Sequence, residues 1–239
     1  MGQPVNFYNR VDSLPINFYS APLGVDSSTV LFLSMEGING STSFIDVTGR
    51  HIVTPSGNVV IDTSQSAYGL SSAKFDGTDD YLSIPDSDDF NLSATDWTFE
   101  YYIRFNVLPV NFLTDFRVWD QRSSSSQLSV FVFTYVTFPS DGYVLGYRDF
   151  LGTGWDSETQ PLGSFVTNKW NRITFTFATA SSVLNIYKDS VQIDNNALIG
   201  ITFGNATSPV IIGADTGQTS ASLDGWLDNI SLHKTARYP

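Results

Sequence analysis

Residues 74–105, KFDGTDDYLSIPDSDDFNLSATDWTFEYYIRF, constrain the fold more than any other part of this chain. They read strand, Asp-Gly turn, strand, acidic loop, strand. Phe75 precedes the Asp76-Gly77 turn. Tyr81, Leu82 and Ile84 make a short strand that Pro85 stops. Trp97, Phe99, Tyr101, Ile103 and Phe105 then alternate with Thr98, Glu100, Tyr102 and Arg104. Period-two alternation bounded by turn residues predicts a half-buried antiparallel strand.

The rest of the chain repeats this grammar. Strands are expected at 30–35, 43–47, 58–62, 73–76, 81–84, 97–105, 128–136, 143–148, 170–177, 183–188, 191–194, 210–213 and 225–233. No window of a dozen residues carries helical periodicity. Of the 24 acidic residues only Glu36, Glu100 and Glu158 are glutamates, and Ser and Thr exceed a fifth of the chain. Aspartate favours turns where glutamate favours helices. Many short strands joined by polar turns predict an all-β, two-sheet antiparallel jelly-roll sandwich. With 239 residues the chain can bury a full core in one such domain.

Residues 1–28 differ. They carry an imperfect repeat eleven residues apart, Pro4-Val5-Asn6-Phe7-Tyr8 and Pro15-Ile16-Asn17-Phe18-Tyr19, with Arg10, Asp12 and Asp26 as the charged residues. Pro4, Pro15 and Pro22 argue against a helix. Large aromatic side chains are rarely left in water. The segment therefore reads as an extended arm, with Phe7, Tyr8, Phe18 and Tyr19 as its anchors. It covers the sandwich of its own chain or docks on a neighbouring subunit, the remaining alternative being a disordered tail. Residues 29–239 form the sandwich domain.

Composition excludes several functions. The chain has no cysteine, so neither a disulfide framework nor a thiolate metal site can form. A net charge of -12 opposes nucleic acid and anionic membrane surfaces. No apolar run approaches a membrane span, and no signal peptide is read at the start.

Four segments together resemble the laminin-G-like, concanavalin A-like lectin jelly-roll superfamily, in the form found in phage and bacterial surface proteins. Val30 to Gly37 followed by Asp46-Val47-Thr48-Gly49 is similar to the opening strand and its Asp-containing turn. Phe75-Asp76-Gly77 through Trp97-Thr98-Phe99-Glu100 resembles the second block. Trp170-Asn171-Arg172-Ile173-Thr174 through Tyr187-Lys188-Asp189 resembles the third, and Leu223 through Ile230 the closing strand. The family often has glycine where Ser190 stands, so this hairpin needs its own turn type. The resemblance also implies a structural calcium near the first and last strands, at positions matching Glu36, Asp46 and Asp228. No other cofactor is expected. A second acidic candidate is the run from Asp76 to Glu100, with eight acids and no base. Its aspartates either supply hard oxygen ligands or form turns on a solvated edge.

Motifs for catalysis are missing. There is no Gly-x-Ser-x-Gly, P-loop or zinc-protease pattern. The two histidines, His51 and His233, read as surface or satisfied side chains. Glu100 has Tyr102 and Arg104 at i+2 and i+4, so the paired carboxylates of glycoside hydrolysis are not on that strand. Trp155 with Asp156, and Trp119, are candidates for stacking on a sugar ring and bonding its hydroxyls. Trp97, Trp170 and Trp226 are expected in or near the core.

The expectation is a non-enzymatic virion structural protein, a surface subunit of head, tail or fibre held by its arm. Its partners would be other virion proteins and further copies of itself, without membrane insertion. The alternative is a carbohydrate-binding adhesin module for host glycans, placed outside the cell or on its surface.

Overall fold

The computed structural model describes residues 24–93, 95–108, 117–121, 129–136, 143–149, 156–161, 165–197, 205–215 and 222–238. The strands are β1 (Thr29–Leu33), β2 (Thr54–Ser56), β3 (Val60–Asp62), β4 (Ser72–Asp76), β5 (Tyr81–Ile84), β6 (Trp97–Phe105), β7 (Ser129–Val136), β8 (Tyr143–Asp149), β9 (Asp156–Pro161), β10 (Trp170–Ala178), β11 (Val183–Lys188), β12 (Val191–Ala197), β13 (Val210–Ile212) and β14 (Asp224–His233). One short 3-10 turn, Asp88–Phe90, is capped by Ser87, whose hydroxyl accepts the Asp89 N–H.

An eight-stranded sheet runs β12-β11-β10-β6-β14-β4-β3, with β1 also paired to β14. Three-stranded ladders β13-β5-β2 and β7-β8-β9 complete the strand pairing of the described residues. Every pairing is antiparallel. Phe99, Tyr101, Ile173, Phe175, Leu184, Ile186 and Leu227 from the large sheet share one core with Leu82, Ile84, Val210 and Ile212 from the opposing ladder. This is the expected sandwich.

The closing strand β14 serves two partners along its length. Residues Asp224 to Leu227 pair with β4, and Ile230 to His233 pair with β1. A bulge between Asp228 and Ser231 interrupts its pairing with β6 at the changeover, and Asn229 there has φ 47°. The extra residue reverses the side-chain parity. Trp226 points away from the core, whereas Leu227, Ile230 and Leu232 enter it. A strict alternation through residues 225–233 would have put Trp226, Ile230 and Leu232 on one face.

Three other expectations need correction. Residues 43–47 form no strand; they make isolated bridges, Leu33 with Asp46 and Ile45 with Ile52. No strand is expected at 54–56, yet β2 forms there. Pro55 is tolerated because β2 lies at the edge of its ladder. β9 forms although Asp156–Pro161, DSETQP, lacks the apolar alternation that predicts a strand. The loop expected at residues 122–127 lies outside the described residues.

The hairpin joining β11 to β12 turns through Asp189 and Ser190, with Lys188 paired to Val191. Their φ values, 50° and 68°, define a two-residue turn with both central residues left-handed. Asp189 fits it by exchanging bonds with Arg172: its N–H donates to the Arg172 carbonyl, and its carboxylate accepts the Arg172 N–H.

Candidate functional site

The outward face of β6, β10 and β14 is where the structure departs most from the sequence expectation. Thr98, Glu100 and Tyr102 point away from the core, yet all are buried, so β6 is not half-buried. The reason is a polar layer roofed by the chain's own C-terminal segment. Thr174 faces Glu100 and Arg172 faces Tyr102 across the ladder, which sets Arg172 diagonal to Glu100. The Arg172 guanidinium donates to Glu100 Oε2, which also accepts from Thr174 Oγ1 at 3.0 Å.

Residues 234–238 then cross this layer. Thr98 Oγ1 donates to the Thr235 carbonyl and accepts the Arg237 N–H. Arg172 donates to the Tyr238 hydroxyl at 2.7 Å, and the Tyr238 ring lies 5.6 Å from that of Tyr187. Burial works to lower the Arg172 pKa, but the Glu100 carboxylate outweighs it and the pKa is raised. Burial likewise pushes the Tyr102 phenol up. Beside this layer Tyr102, Trp170 and Trp226 form a second apolar cluster, with Ala67 packed on it. Arg104 lies over the Trp226 ring at 4.8 Å, and the Trp226 indole donates to Asp62 at 2.8 Å.

Asp228 sits at the β14 bulge. Its Oδ2 accepts the N–H groups of Ala67 and Tyr68, and its Oδ1 accepts the Asn229 amide. Burial raises its pKa well above the carboxylate range, and nearby Glu36 adds to the rise. Glu36 accepts the Leu70 N–H. Two carboxylates thus hold the 65–70 loop by its backbone. Asp46, the third position implied for calcium, serves a different loop. Its Oδ1 accepts from Phe32 N–H and Thr48 N–H, and its Oδ2 from Thr48 Oγ1, Arg50 N–H and His51 N–H.

Among the described residues, the acidic or histidine group whose ligand atoms all lie within 4.8 Å of one another is Asp76, Asp79 and Asp80, not Glu36, Asp46 and Asp228. The acidic run of the sequence therefore does bring carboxylates together at the β4–β5 turn. These groups could hold a hard cation, but they already brace the turn. Asp80 is buried and accepts from Asn58 N–H and Asp76 N–H, and burial raises its pKa. Asp76 accepts from Thr78 N–H and its hydroxyl, which lower its pKa. Farther along the run, Asp89 takes a two-pronged contact from Arg50.

The tryptophans sort cleanly. Trp119 is 4% exposed and meets Phe90 and Phe99 edge-on at 5.5 and 5.2 Å. Its ring has no face left for a sugar, which corrects that assignment. Trp97, Trp170 and Trp226 are also buried. Trp155 lies outside the described residues, as do Phe7, Tyr8, Phe18 and Tyr19; Asp156 opens β9. Both histidines are satisfied. His51 contacts the Val30 carbonyl, and its ring lies 4.6 Å from that of Phe90, tilted by 32°. Buried His233 bonds Thr29 Oγ1 through Nδ1 and Ser231 Oγ through Nε2, and burial, with Arg237 nearby, lowers its pKa to about 4.

The sandwich and its loop-bearing ends define a lectin-like jelly-roll domain. The family model of the concanavalin A-like lectin/glucanases superfamily matches residues 76–239, and the chain belongs to that superfamily. No curated protein sequence matches it. Among solved structures it is similar to the binding domain of Paraclostridial Mosquitocidal Protein 1, at 16% identity and TM-score 0.64, over 87% of this chain and 49% of that one. It is also similar to domain 4 of AbnA, an extracellular arabinanase from Geobacillus stearothermophilus solved with arabinotriose. That likeness has 12% identity and TM-score 0.63, over 87% of this chain and 93% of that one. The receptor binding domain of botulinum neurotoxin D gives 12% identity and TM-score 0.63, over 87% and 50%. The chain thus spans about half the length of the toxin domains and nearly all of the arabinanase domain. Identities this low establish a shared fold. No helix among the described residues is long and apolar enough to cross a membrane.

Proposed function

We propose that this protein is a non-catalytic carbohydrate-binding module whose sugar contact is made by Trp155 and Asp156. The fate of the tryptophans carries this reading. Four of the five are buried in structural roles, so the sugar-stacking role foreseen for a loop tryptophan falls to Trp155. A sugar site needs a flat apolar face with a few convergent polar groups. Trp155 and Asp156, adjacent in the sequence, supply those two residue types. The arabinanase domain, matched over nearly its whole length, was solved with a sugar chain and supports the same class of ligand.

The non-catalytic part rests on the carboxylates. Glycoside hydrolysis needs two of them flanking a reachable bond, one with room for water. On the outward face Glu100 is held by Arg172 beneath Tyr238, and Asp228 is spent on the 65–70 loop. The test is binding of the intact protein across a broad glycan array. Saturable binding to a related group of glycans is expected; silence across the array overturns the reading.

A second reading, a virion surface subunit fastened to its neighbours by residues 1–28, rests on the aromatic repeat of the sequence. It is compatible with the first, because a surface subunit can also bind host glycan.

A further inference from the structure

Beside β1 two aliphatic side chains stand in water on a braced loop. Ile45 and Ile52 face each other as an antiparallel bridge pair, so their side chains lie on the same side. They are 67% and 76% exposed. The loop is not slack. The Leu33–Asp46 bridge lays it along β1, five donors converge on Asp46 inside it, and Arg50 grips Asp89. A fixed pair of branched aliphatic side chains held in water suits a contact. The aromatic leader, residues 1–23, lies outside the described residues.

We propose that Ile45 and Ile52 are covered by Phe18 and Tyr19 of the same chain, so that the near half of the leader straps its own sandwich beside β1. The position of the leader's root favours this occupant. Residues 24–28 run into β1, where the Thr29 N–H donates to the Asp26 carbonyl, the Lys234 N–H donates to the Ser28 carbonyl, and Arg237 pairs with Asp26. His51, the neighbour of Ile52, reaches the Val30 carbonyl. The exposed pair therefore lies beside the root. Reach favours it as well. From Phe18 to Gly24 the extended chain spans at most about 20 Å. Pro22 and Gly24, which has open space around it, are residue types at which a chain turns back. Closing this short loop loses less entropy than bringing in Phe7 and Tyr8 from farther out, so the nearer unit takes the site. Charge and tethering select the chain's own leader over a second copy's. Residues 1–23 carry Arg10 and Asp12 and are neutral, so the -12 of the chain resides in residues 24–239. Two such bodies repel, whereas a neutral leader tied to its own body meets the pair at an effective concentration of millimolar order.

The inference does not depend on the sugar reading. It bears on the second reading, since a neighbouring subunit would have to displace Phe18 and Tyr19 before taking them. The chain has no cysteine, so an introduced pair reports proximity without interference. Ser20→Cys, beside the two anchors, is combined with Thr54→Cys, two residues past Ile52, or with Val191→Cys on the far edge strand β12 of the large sheet; both body positions are exposed. Disulfide closure of the full chain under oxidised glutathione is followed by mass and by non-reducing electrophoresis. The Ser20→Cys/Thr54→Cys variant is expected to close within one chain at least about tenfold faster than the Ser20→Cys/Val191→Cys variant. Adding Ile45→Ser and Ile52→Ser should remove that advantage with the melting temperature unchanged. If the serine changes lower the melting temperature, the comparison of the two cysteine positions decides alone. Equal closure rates at the two positions, disulfides that join two chains in place of closing one, or an advantage that survives the serine changes overturns the proposal.

Discussion

Acid should weaken this fold through His233 before it reaches most carboxylates. The ring is buried between β1 and β14, with Arg237 and Asp26 as the charged groups near it. Its pKa falls from 6.5 to about 4 on folding. A depressed pKa means that the unfolded chain takes up the proton first, so the contribution is complete above pH 6.5 and is lost as pH falls through about 4. That drop of about 2.5 units corresponds to roughly 3.5 kcal/mol at about 1.4 kcal/mol per unit. Asp26, lowered to about 2 chiefly by its bonds from Ser28, acts at lower pH. Asp228 acts with the opposite sign, because burial raises its pKa. Both persist in His233→Gln and cancel in the difference. The assay is urea unfolding of wild type and His233→Gln at half-unit steps from pH 7.5 to 4. The stability gap should narrow by about 2–3 kcal/mol across that range. Parallel curves would refute a buried neutral His233.

Arg172→Met should cost about 3–5 kcal/mol by stranding Glu100 under the C-terminal segment, and adding Glu100→Gln should recover part of it; chemical denaturation measures both. Ser190→Gly should stabilise by roughly 0.5–1 kcal/mol, since glycine takes a left-handed turn position without steric cost; thermal unfolding reads this as a small rise. Calcium should leave the melting temperature unchanged against a chelator control, because the Asp80 and Asp46 carboxylates are already occupied by donors of their own chain; a rise of several degrees would show a site that matters.

The sandwich was legible because its inner face is written in period two. Phe99, Tyr101 and Ile103 announce β6 whatever surrounds them. The outer face was not. Glu100 and Arg172 are far apart in sequence, and only the β6–β10 register makes them diagonal neighbours. Nothing local to Glu100 says that Tyr238 will roof it. The bulge at Asp228 was hidden for a related reason, as an added residue shows only against its partner strand. The resemblance implies Asp46 as a calcium position, and no local signal announces the five donors that its carboxylate accepts from Phe32, Thr48, Arg50 and His51. Trp119 falls in a segment whose sequence lacks alternation. A side chain in an irregular segment can still reach the core.

The central claim, a sugar contact made by Trp155 on a non-catalytic sandwich, is tested most directly by titrating wild type and Trp155→Ala with the strongest array ligand while following their melting temperatures. The account predicts at least about a tenfold loss of affinity, near 1.4 kcal/mol, with no change in melting temperature and no cleavage of the glycan. Equal affinities for the two proteins, or release of a shortened glycan, would contradict it.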